Sequence, residues 1–226
     1  MKKLVIGFIL FTSKSCLAQY EVDSTIKYKY QRLFENLPSK IKNGSELDSE
    51  WEFGILTSIR TDILRKEDVV LADSSIEVFK TIPQRGKKKP RNSSPTEEES
   101  INEKNPGFVF CKCNFIGDTL KMLSGIKVFS GFGITTMIYG DSVRAEYSEL
   151  ETEDVLRKTE TDSLVKEVTV PATIEKLIVN IRPNKTIPEL YGQLNICSEG
   201  FYDTRNTPGV KFVRKYVKLY FRCKIE

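Results

Sequence analysis

The sequence predicts a mainly β protein, α+β overall. The C-terminal part is expected to form an antiparallel β-sandwich or barrel of about eight strands, preceded by a helical N-terminal segment. Three observations carry that expectation. From residue 107 onward, apolar residues recur at every second position in short runs closed by Gly-Asp or Ser-Gly pairs. No amphipathic helical pattern separates those runs, as a parallel α/β sheet would require. Before residue 84 the apolar spacing is three and four instead, the period of a helix.

The chain opens with an export signature over residues 1–19. Lys2 and Lys3 precede the apolar run Leu4-Val5-Ile6-Gly7-Phe8-Ile9-Leu10-Phe11, and the small residues Cys16 and Ala18 follow. The run is too short to span a bilayer, which takes ~20 residues. Two lysines at its start also disfavour a buried helix, whose N-terminus repels positive charge. Acylation at Cys16, the lipoprotein alternative, fits poorly with Ser13 and Lys14 ahead of it. The expected mature protein is exported to the periplasm, outer surface or medium, with no transmembrane segment after cleavage.

Residues 20–83 are expected to be mostly helical. Ile26, Tyr30, Leu33, Phe34 and Leu37 repeat at helical spacing, with Asp23 or Ser24 to cap the start and Pro38 to end it. A second helical pattern runs over 49–64, placing Trp51, Ile55, Leu56, Ile59 and Ile63 on one face. Residues 68–82 fit strand or helix equally. From 84 to 106 the composition turns to Gly, Pro and Ser among a basic run at 85–89 and an acidic run at 97–99. That is the make-up of a solvated linker or loop.

The β domain is expected over 107–226. Val109, Cys111, Cys113 and Phe115 alternate with polar or outward residues up to Gly117-Asp118. Leu120, Met122, Ile126 and Val128 follow, then Phe132 to Ile138 up to Gly140-Asp141, then Val143, Ala145 and Tyr147. The charged stretch 149–162 reads as an exposed loop. Strand patterns resume at 164–170, 177–181 and 190–197. The last is the clearest: Val213, Val217, Leu219, Phe221, Cys223 and Ile225 share one face.

Composition narrows the chemistry. The chain has no histidine, which excludes Ser-His-Asp and Cys-His catalysis, imidazole zinc sites and histidine pH switches. Its net charge is +4, and loss of Lys2, Lys3 and Lys14 leaves the mature chain near neutrality. Phosphate-driven binding needs a larger basic excess, so nucleic acid is not an expected partner. Gly131-Phe132-Gly133 lacks the third glycine and following helix of a phosphate cradle. The acidic residues Glu151, Glu153 and Asp154 sit together in a charged stretch rather than facing across a cleft as a glycosidase requires.

Two constellations remain. Cys111, Cys113, Cys197 and Cys223 survive export, an even number suited to disulfides. Cys111 and Cys113 are two apart on a strand and point to one face, so either can meet Cys223 on a neighbouring strand. Buried free thiols or a soft-metal site are the alternatives. The other constellation lies opposite the apolar face of the last strand. There Arg214, Tyr216, Lys218, Tyr220 and Arg222 make a stripe suited to an anionic polymer or to sugars. A solvent-facing strand side where long basic stems cover the tyrosines, or a partly covered second core, is the plainer explanation.

The expectation is an exported, non-catalytic β-domain protein without a cofactor, acting as a binding or structural module toward an unidentified protein or envelope component. The alternative is a carrier of an apolar small ligand within the barrel or sandwich.

Overall fold

A computed structural model describes residues 19–37, 39, 52–64, 101–104, 106–127, 129–205 and 210–225. Residues 1–18 of the export signature expected over 1–19, Trp51, the ambiguous segment 68–82 and both charge runs of the expected linker lie outside the described residues. The chain is mostly β with one short helix, in the order β1 (Glu21–Val22), α1 (Ile26–Glu35), β2 (Glu52–Leu64), β3 (Gly107–Ile116), β4 (Thr119–Lys127), β5 (Gly131–Tyr139), β6 (Ser142–Leu150), β7 (Leu156–Arg157), β8 (Glu167–Val179), β9 (Glu189–Ser198), β10 (Phe201–Asp203) and β11 (Lys211–Lys224).

Eight of these strands close into an antiparallel barrel in the order β8-β6-β5-β4-β3-β2-β11-β9, with β9 returning to β8. Closure removes the unpaired edges that an open sheet would expose. β10 and β7 continue the sheet beyond one end of β9, and β1 runs parallel to the last residues of β8. Two hairpins are set by glycine. Gly117 (φ 59°) and Gly140 (φ 55°) open the two-residue turns after β3 and β5, where only a residue free of Cβ takes a left-handed backbone cheaply.

The period of two sorts side chains by face. Val109, Cys111 and Cys113 of β3, Leu120 and Met122 of β4, Ile134 and Ile138 of β5, and Val143, Ala145 and Tyr147 of β6 are buried inside. They join Leu194, Val217, Leu219 and Phe221 in one continuous core. Phe221 lies so close to Gly192 that a Cβ there would meet its ring at 2.3 Å. An eight-stranded barrel is just wide enough for such side chains to fill it. The outward positions include Lys112, Lys121, Arg144 and Glu146. A barrel that crosses a bilayer carries apolar residues in such a band.

α1 forms where its spacing predicts and buries Ile26, Tyr30 and Leu33, with Leu37 just beyond. Thr25 takes the N-cap position, and the Asp23 carboxylate accepts from the Thr25 N–H and hydroxyl, both at 2.9 Å. The helix lies on the outside of the barrel over Ile55, Ile178, Tyr191 and Tyr220. The Tyr30 hydroxyl donates to the Phe53 carbonyl at 2.7 Å, and its ring meets Tyr191 edge-on at 5.5 Å.

The second expected helix is instead strand β2, a full member of the barrel. Its apolar residues mimic helical spacing because they serve two faces. Ile55 points out beneath α1 and Leu56 points into the barrel. Then Thr57 is an extra residue opposite the Lys218/Leu219 step of β11, a bulge that shifts the phase by one. Ile59 is thereby returned to the inner core. Two-sided burial plus a bulge turned a period of two into an apparent period near 3.6. The N-terminal part is therefore not mostly helical among its described residues. The patterns at 164–170 and 177–181 likewise belong largely to one long strand, β8, which carries its own extra residue between Ile174 and Lys176.

Candidate functional site

β11 runs the length of the barrel between β2 and β9, so its outward residues lie along one continuous outer face. That face divides the expected stripe in two. Tyr220 is completely buried beneath α1, with the Lys29 and Lys218 ammonium groups 5.1 and 5.7 Å from its ring centre. Arg222 lies over the Tyr191 ring and donates to Glu189 at 2.5 Å. Arg214 is also buried. The Tyr220–Arg222 half thus belongs to packing, a second core beside α1, while Arg214 is buried at the far end of the strand, beyond Tyr216.

The other half opens as a groove of about 360 Å³ lined by Ser58, Arg60, Glu175, Asn195, Tyr216 and Lys218, with Ile196 and Val217 beneath. Sheet register makes the lining. Lys218 stands opposite Ser58 on one side and Asn195 on the other, and Tyr216 opposite Arg60 and Cys197. The bulges at Thr57 and Glu175 bend β2 and β8, re-aiming side chains at this point of an otherwise regular wall.

The cations are pre-aimed. The Arg60 guanidinium sits 4.3 Å from the Tyr216 ring centre and pairs with Asp62 at 3.0 Å. Lys218 donates to Glu103 at 2.9 Å. Burial pulls the Lys218 ammonium toward neutrality, but its bonds to Glu103 and Tyr220 prevail and raise its pKa, so it stays charged. Burial pushes both the Cys197 thiol and the Tyr216 phenol upward, so both are neutral near pH 7. A protonated thiol and phenol are poor nucleophiles and bases. The groove thus offers two cations, one carboxylate and several hydrogen-bonding groups, a set suited to recognition.

The four cysteines separate. Cys113 and Cys223 are joined by a disulfide, with Cα atoms 5.6 Å apart. Cys111 stays a buried thiol beside them, and Cys197 stays a thiol on β9 opposite Tyr216. A four-thiolate metal site is not assembled, because Cys197 faces away from the other three.

A buried charge cluster lies at the barrel end opposite the disulfide, and sequence reading missed it. Glu149 falls in the stretch expected as an exposed loop, yet it is buried inside the barrel end. Tyr147 donates to it, Arg205 donates to it at 3.0 Å, and Lys215 approaches within 3.8 Å. Arg205 also binds Glu151 and Asp203. Burial raises the Asp203 pKa. The signal was present: Glu149 continues the inward alternation of Val143, Ala145 and Tyr147. Its charge argued for solvent, and Arg205, more than fifty residues downstream, supplies the partner. Within the same stretch, Glu153 and Asp154 are exposed as expected.

No helix among the described residues is long and apolar enough to cross a membrane. Comparison with family models, curated proteins and solved structures yields no significant match, so the functional reading rests on this geometry alone.

Proposed function

We propose that this chain is an exported, non-catalytic binding module of the cell envelope or exterior, and that the groove beside Tyr216 receives acidic groups of an anionic partner polymer. The observation that carries this reading is the convergence of Arg60, Lys218 and Tyr216 at the two bulges, on a wall that is otherwise a regular barrel surface. Arg60 supplies a planar donor fork for a carboxylate, Lys218 a point charge, and Ser58 and Asn195 neutral hydrogen bonds. Asp62 and Glu103 hold the two cations in place before a ligand arrives and exchange with it on binding. The export signature read at residues 1–19 supports a partner outside the cytosol. The alternative, an apolar ligand inside the barrel, would compete with Tyr147, Met122, Leu194 and Phe221 for a lumen that these buried side chains occupy.

Titration calorimetry of the full chain with polygalacturonate tests the reading. Binding that weakens with salt is expected, and Arg60→Ala should weaken it about thirtyfold, the ~2 kcal/mol of a central interface residue. Binding indifferent to Arg60→Ala and Tyr216→Ala, or no binding at low salt, would overturn it.

A further inference from the structure

Inside the barrel the Sγ atoms of Cys111, Cys113 and Cys223 all lie within 4.8 Å of one another, and all three residues are fully buried. Strand geometry brings them together. Cys111 and Cys113 share the inner face of β3. Glu52 of β2 pairs with Cys111, and two residues further along β3 Cys113 bridges to Ile225, just past the end of β11. Cys223 therefore reaches the inner face of β3. The Cys111 sulfur is also 3.5 Å from the Ser124 hydroxyl.

We propose that the reduced chain holds one cuprous ion on these three sulfurs. Metal–thiolate bonds of about 2.3 Å place the sulfurs of a planar three-coordinate site roughly 4 Å apart. The existing cluster has that scale, and only the bonded edge between Cys113 and Cys223 has to open. Thiolates select soft ions such as Cu(I) over hard, oxygen-seeking ones. Zinc in a closed site takes four ligands; among the described residues the remaining thiol, Cys197, faces outward, and the chain has no histidine. The ion and the disulfide are alternative occupants of the same atoms. Opening the bond takes two electrons. A trialkylphosphine supplies them: it takes oxygen from water to become the phosphine oxide, and the two sulfurs take the two hydrogens as thiols. Each thiol that then becomes a ligand as thiolate gives its proton to solvent.

The full chain, reduced with such a phosphine under anaerobic conditions, is titrated with Cu(I) against a chromophoric cuprous chelator. One ion per chain is expected, with sulfur-to-copper absorption in the near ultraviolet and three sulfur neighbours by X-ray absorption. The oxidised chain should not compete for the ion. Cys111→Ser should weaken binding by more than the about 10- to 100-fold typical of losing a mere outer-shell partner, and Cys197→Ser should leave it unchanged. Two sulfur neighbours in the wild-type chain, equal affinity in Cys111→Ser, or loss in Cys197→Ser would each overturn the assignment. The wild-type sulfur count decides the matter even where the Cys111 variant fails to fold.

Discussion

The two halves of β11 have opposite characters. From Leu219 to Cys223 the strand is core on both faces: Leu219, Phe221 and the Cys113–Cys223 disulfide inside, Tyr220 under α1 outside. From Arg214 to Lys218 the inner face carries Lys215 against Glu149, and the outer face carries the groove around Tyr216. The sequence alternates aromatic and basic residues along both halves alike. What differs is the cover each half receives, from a helix on one side and from solvent on the other. Composition along a strand therefore says little about where a site lies until its neighbours are placed.

The sharpest way to break this comparison is to truncate matched tyrosines. Tyr220→Ala is expected to cost about 3–5 kcal/mol, as for other fully buried aromatics. Tyr216→Ala should change stability by no more than roughly 0.5 kcal/mol while weakening ligand binding. Urea unfolding followed by fluorescence measures both, and equal costs would erase the distinction between the halves. Next in size is the covalent staple. It joins residues 110 apart, and closing so long a loop in the unfolded chain is worth about 2–5 kcal/mol. Cys223→Ser in a Cys111→Ser background should lower the urea midpoint by a matching amount, with no such drop for Cys197→Ser.

The smallest expected effect is on pH dependence, and its sign differs between the ends. The hydrogen bond from Arg222 holds Glu189 below its ordinary value of 4.5. Its stabilisation is therefore complete above that value and is lost as pH falls through the lowered one. Burial holds Asp203 above its ordinary value of 3.8. Its contribution is full below that value and is lost as pH rises through the raised one. Relative to Asp203→Asn, the wild-type chain should lose stability as pH climbs above 3.8. Relative to Glu189→Gln, it should gain stability as pH climbs toward 4.5. Unfolding midpoints over an acid series read both slopes, and slopes of the same sign would contradict the assignment.

Much of the barrel was legible because local rules sufficed. Gly117-Asp118 and Gly140-Asp141 marked hairpins, and strict alternation from Val109 to Tyr147 and along β11 separated inside from outside. β2 was not legible, because a bulge and burial on both faces broke its period. Its β-branched residues at 55, 57, 59, 61 and 63 were the available signal. The cysteine inventory admitted several pairings, and only the meeting of β3 with the end of β11, at the Cys113–Ile225 bridge, selected Cys113 with Cys223.

By itself the sequence determined which apolar side chains the regular strands β3 to β6 and β11 turn inward, since an unbulged pleated strand has a period of two regardless of its neighbours. It also ruled out the chemistries that need an imidazole, since the chain has no histidine. Tertiary structure alone decided that the sheet closes as a barrel and that α1 covers Tyr220 while Tyr216 stays open. It also decided that Glu149 finds Arg205 and that three sulfurs converge. Those outcomes depend on which strands pair across long stretches of chain, and no local pattern encodes a distance between residues a hundred positions apart.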